Sequence, residues 1–75
     1  MYKIRHAGTN EFVSKIDRRR TPTGQVDFVK GWNNSLALVY GTYEDAKTAA
    51  DEVEEIEGFN TSVELVYRWG GLPNE

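Results

Sequence analysis

A chain of 75 residues with 39% hydrophobic, 28% charged and 12% aromatic side chains has the composition of one small folded domain rather than of a disordered segment. It contains no cysteine and one histidine, which excludes disulfides, thiolate metal sites, a cysteine nucleophile and a histidine-based metal cage. No apolar run approaches the ~20 residues of a membrane span. The opening residues, Met1 to His6, lack the apolar stretch of a secretory signal, so a cytoplasmic protein is expected.

The net charge of -3 hides a segregation. Residues 1–30 carry seven Lys and Arg against three acids, a net of +4, whereas residues 31–75 carry two against nine, a net of -7. Such asymmetry implies either internal neutralisation or two charged faces aimed at partners.

In chain order, Tyr2, Ile4 and His6 alternate with Lys3 and Arg5, the pattern of a half-exposed strand. Gly8, Thr9 and Asn10 form a turn signal leading into a strand at 11–16, with Phe12, Ser14 and Ile16 on one face and Val13 and Lys15 on the other. Residues 18–25 read as a polar loop punctuated by Pro22 and Gly24. Two β-rich runs, 26–30 and 36–40, predict a second hairpin through Gly31, Trp32, Asn33 and Asn34. Thr42, followed by Glu44 and Asp45, gives a capping start to a helix over Tyr43–Glu57. Ala46, Ala49, Ala50, Val53 and Ile56 form its apolar stripe, and Gly58 is the expected left-handed cap. A last strand at 62–69 places Val63, Leu65, Tyr67 and Trp69 opposite Glu64 and Arg68, and 70–75 reads as a flexible tail. The expectation is an α+β domain over residues 1–69 in the order β-β-β-β-α-β, with a mainly antiparallel sheet of four to five strands covered by one amphipathic helix.

The run from Trp32 through Ala37, Leu38, Val39, Tyr40, Gly41, Thr42, Tyr43, Glu44, Asp45 and Ala46, with the strands opened by Tyr2, Lys3, Ile4, Arg5 and by Phe12, Val13, Ser14, resembles small accessory proteins of phages and prophages. These often place a hairpin and a tryptophan before a strand, a Thr-x-Glu-Glu-Ala helix start and a final strand. The resemblance implies a mobile-element origin, and no catalytic or binding residue carries over from it.

Candidate chemistry is sparse. His6 lacks a nucleophile or orienting carboxylate placed around it by the sequence, and is read as structural or surface-lying. The serines lie without an identifiable base, no glycine-rich phosphate loop exists, and the acidic residues lack metal-ligand spacing. No enzyme activity, cofactor or metal site is expected. Asp51, Glu54, Glu55 and Glu57 crowd a helical face and its C-terminal end, where like-charge pairs and the helix dipole disfavour them. That face is either solubilising, with relief from Arg18, Arg19 and Arg20, or a docking surface for a basic partner. Replacing Glu54 and Glu55 by Gln is expected to raise stability.

The sequence therefore points first to a non-enzymatic protein–protein interaction module. Homodimerisation through an edge strand, or through Tyr67 and Trp69, is expected. The alternatives are a nucleic-acid-associated protein that uses Arg18, Arg19 and Arg20, with Trp32, Tyr2 or Tyr67 as a stacking platform, or an acidic inhibitor of a host nucleic-acid enzyme, anti-CRISPR-like in presenting carboxylates in place of phosphates. The overall acidity weighs against nucleic acid, and no membrane contact is expected.

Overall fold

A computed structural model describes residues 1–17 and 24–66. Four strands, β1 (Tyr2–His6), β2 (Glu11–Asp17), β3 (Gln25–Lys30) and β4 (Thr61–Leu65), and one helix, α1 (Tyr43–Glu57), follow in the chain order β-β-β-α-β. The sheet order is β3-β2-β1-β4 and every pairing is antiparallel. The fold is a two-layer α+β arrangement. Among the described residues, no helix is long and apolar enough to cross a membrane.

The helix occupies the bounds expected from its signals. The Thr42 hydroxyl accepts the Asp45 amide, and Gly58, at φ 80°, donates its amide to the Glu54 carbonyl. Because α1 crosses β1, β3 and β4, its alanine stripe brings the axis close to the sheet. Ala49, Ala50 and Val53 meet Ile4, Val13 and Val26 in the buried core. Complete burial of a side chain such as Val53 is worth about 1.5–3 kcal/mol.

Two strand expectations are corrected. The run 36–40 is not a strand: it makes one isolated bridge, Tyr40 with Tyr2. β1 and β2 share one registered pair, Arg5 with Phe12. Past that pair, the Leu38 amide bonds to the Val13 carbonyl, while Tyr40 and Tyr2 exchange both backbone bonds. The segment is held by the first two strands instead of pairing with β3, whose partner is β2.

The β2 alternation is also corrected. The β2–β3 register shifts between Val13 and Lys15, and this bulge reverses the facing of the residues that follow. Val13 and Ile16 therefore both contribute to the helix-side core. Phe12, paired with Arg5, is buried on the opposite face. β4 covers Thr61–Leu65, and Val66 lies just beyond it. Tyr67, Trp69 and the 70–75 tail lie outside the described residues.

Candidate interaction surface

The sheet has two edges, β3 and β4, and the bonding parity of β4 identifies which of its backbone groups face outward. The Val66 amide bonds to the Met1 carbonyl and the Ala7 amide to the Asn60 carbonyl, while the register pairs Tyr2 with Leu65 and His6 with Thr61. Bonded and non-bonded pairs alternate in an antiparallel ladder. Ser62 and Glu64 thus turn their amides and carbonyls toward β1, and Thr61, Val63 and Leu65 turn theirs away. The same parity sends the Tyr2 backbone away from β4, where it meets Tyr40.

One outward donor is already taken. The Glu54 carboxylate accepts the Thr61 amide at 2.8 Å and the Thr61 hydroxyl at 2.9 Å. These bonds, the backbone one foremost, hold the Glu54 carboxyl below its ordinary range. The outward groups left along the strand are the Thr61 carbonyl and both backbone groups of Val63 and Leu65. Leu65 itself is 52% exposed.

The face of the sheet away from α1 carries a polar cluster. Arg5 donates through Nε and Nη2 to Glu64 Oε2 at 3.1 and 2.9 Å, and through Nη1 to the Thr9 carbonyl at 3.0 Å. The Ser62 hydroxyl reaches the same carboxylate oxygen at 2.7 Å. The Ser62 bond and then the Arg5 bonds hold the Glu64 carboxyl below its usual range. Arg5, Phe12, Trp32, Glu64 and Leu65 help to line an open cleft of about 310 Å3. Lys3 is buried on this face, and burial lowers its pKa. Its ammonium donates to the Trp32 carbonyl at 2.6 Å and the Asn34 carbonyl at 3.3 Å, fixing the segment that carries Trp32.

The residues singled out in the sequence are dispersed. Trp32 is exposed beside the Arg5–Glu64 pair. Asp51 pairs with Lys47 at 2.8 Å, which raises the Lys47 pKa. Glu54 belongs to the Thr61 clamp, so its carboxylate is used within the fold and is not simply one more repelling charge on the acidic face. Glu55 and Glu57 are exposed. Arg18, Arg19 and Arg20 lie outside the described residues, and so does any relief they give the acidic face. His6 stacks on Phe59 with ring centres 3.7 Å apart, and Phe28 completes the cluster.

Sequence reasoning missed Arg5, Glu64 and the Val63–Leu65 edge as features of interest. Ser62 and Glu64 at alternate positions were a visible signal for a polar face, but their partner strand was not. Among the described residues, no group of three or more His, Asp or Glu is placed to hold a metal ion. No protein-family model, curated protein or solved structure matches this chain.

Proposed function

We propose that the protein is a non-enzymatic protein-interaction module, of the kind found among phage and prophage accessory proteins, whose contact element is the outer edge of β4. The observation that carries this reading is the set of outward backbone groups at Val63 and Leu65, next to the exposed Leu65 side chain. An edge of this kind is a template for strand addition, in which main-chain bonds supply affinity and alternate side chains supply selectivity. The Trp32 cleft lies alongside it and extends the contact surface with an aromatic ring and an ion pair, residue types suited to protein interfaces. The proposed setting is the cytoplasm of a bacterial host.

The test compares the wild-type chain with Leu65→Lys, which places a charge on the edge without touching the buried core. Both are used to capture proteins from bacterial host lysate, and amide exchange is followed in any captured complex. A specific protein lost by Leu65→Lys, with Val63 and Leu65 amides protected in its complex, is expected. Capture unaffected by the substitution, or exchange at those amides unchanged by the partner, would overturn the reading.

A further inference from the structure

We infer that the strand accepted by the β4 edge is the β4 of a second copy of this chain, antiparallel and centred on Val63. The inference rests on the strand-accepting edge proposed above and adds its occupant and register.

The outward residues Thr61, Val63 and Leu65 are symmetric about Val63. In a two-fold pair centred there, the Val63 residues exchange both backbone bonds, and each Leu65 amide donates to the Thr61 carbonyl of the other copy. The Thr61 amide, which this arrangement would otherwise pair with a Leu65 carbonyl, already has its acceptor in Glu54. The Leu65 carbonyl then remains at the open end of the ladder, where water can bond to it.

Charge selects this register over its neighbours. With Val63 at the centre, Glu64 lies across from Ser62 of the other copy, a small hydroxyl side chain. Centring on Glu64 would set two ionised carboxylates directly opposite one another, and like charges at such positions destabilise a sheet. Both registers lose the bond from the Thr61 amide that Glu54 already holds, but centring on Ser62 would leave only the two bonds from the Val63 amides to Thr61 carbonyls, where the Val63 centre keeps four. On the helix side, the Val63 centre also brings the exposed Leu65 over Thr61, so apolar surface is covered while the ladder closes. The joined sheets would run continuously, β3-β2-β1-β4 meeting β4-β1-β2-β3.

The chain contains no cysteine, so single introduced cysteines report the register. Bonded antiparallel neighbours have Cα atoms about 5.5 Å apart, within the disulfide range of about 4.4–6.8 Å. Val63→Cys is therefore expected to cross-link to itself under mild oxidation. Leu65→Cys alone is not, because the two copies of that position stand four residues out of register, about 13 Å apart at strand spacing. A mixture of Thr61→Cys and Leu65→Cys chains should form the mixed disulfide, which keeps the test valid if Val63→Cys folds poorly. Light scattering on the wild-type chain should rise from the 8.5 kDa monomer toward twice that mass with concentration, and Leu65→Lys should abolish the rise.

A mass fixed at the monomer value across a hundredfold concentration range would overturn the inference, as would equal self-cross-linking by Val63→Cys and Leu65→Cys. If the chain stays monomeric but captures a foreign protein through Leu65, the second-copy inference fails and the interaction reading stands. If the Val63-centred disulfide forms and no foreign protein is captured, the self-pairing stands and the accessory-module reading fails.

Discussion

The Glu54 carboxylate accepts both the backbone amide and the hydroxyl of Thr61, seven residues further along the chain. These bonds tie the last turn of α1 to the first residue of β4, across the Gly58 reversal. They also account for an anion near a helix C-terminus, where the exposed backbone carbonyls are unfavourable neighbours: the carboxylate is turned from the helix end toward donors on the strand.

The acidic residues of α1 should therefore separate by role. Glu54→Ala is expected to lower the melting temperature and speed amide exchange at Thr61. Glu55→Gln, which removes a like charge four residues from Asp51, should be neutral or raise stability by about 0.2–0.5 kcal/mol. Equal effects at both positions in thermal unfolding would show that the clamp contributes nothing in solution.

Acid should loosen the same contacts. Glu54 and Glu64 both have carboxyls held below the ordinary glutamate value of 4.5. A depressed folded pKa means that the unfolded chain binds protons first as pH falls. The stabilisation is thus fully present above 4.5 and is lost as pH drops through the folded values. Thermal unfolding should change little from neutrality down to about pH 5 and then weaken. In a Glu54→Gln/Glu64→Gln variant the acid-side slope should be shallower, and an unchanged slope would assign acid sensitivity to other groups.

Local signals made the helix legible in the sequence: the Thr42 cap, the alanine stripe and the Gly58 stop are all short-range physics. The β1–β2 hairpin was legible for the same reason. What failed depended on distant partners. Residues 36–40 have strand-forming side chains, but Tyr2 and Val13 supply their backbone partners, so they form one bridge where a hairpin with β3 was expected. The β2 alternation failed at one extra residue, because a bulge leaves no mark on composition and still exchanges the faces of every residue beyond it. The β4 edge was invisible until the sheet order put β4 outermost. The clamp was hidden because Glu54 looked like one more acid on an acidic helix.

Two glycines with similar backbone angles should respond differently to alanine. Gly8 has φ 81° and open space where a Cβ would stand, whereas Gly24 has φ 98° and would set its Cβ 3.1 Å from the Asp17 carbonyl oxygen and 3.2 Å from Ile56 Cδ1. Gly8→Ala should show mainly the backbone penalty of about 1–2 kcal/mol. Gly24→Ala adds a collision with backbone and with the helix, and should be the more destabilising in urea titration. Equal losses would mean that the β3 approach to α1 yields without cost.

Lys3→Met tests how the segment bearing Trp32 is held. Lys3 is 7% exposed, and its ammonium reaches the Trp32 and Asn34 carbonyls, 29 and 31 residues away. Asn34 organises its own surroundings by donating to the Lys30 carbonyl and accepting the Leu36 amide. Methionine keeps the length and apolar stem of lysine but removes every donor. The substitution has opposing parts: it relieves the desolvation that lowers the Lys3 pKa, and it leaves carbonyl acceptors without their partner. Both contacts are part-buried, and bonds from a charged ammonium are the stronger kind, so the loss of the donor is the larger effect. Lower stability is expected, together with a red shift of Trp32 emission as its segment moves into water. Measuring emission in a Trp69→Phe background isolates Trp32, since the chain has only two tryptophans. Unchanged stability and emission would show that the turn formed by Asn34 holds the segment without Lys3, whereas a stability loss with unchanged emission would confine the role of Lys3 to the strand.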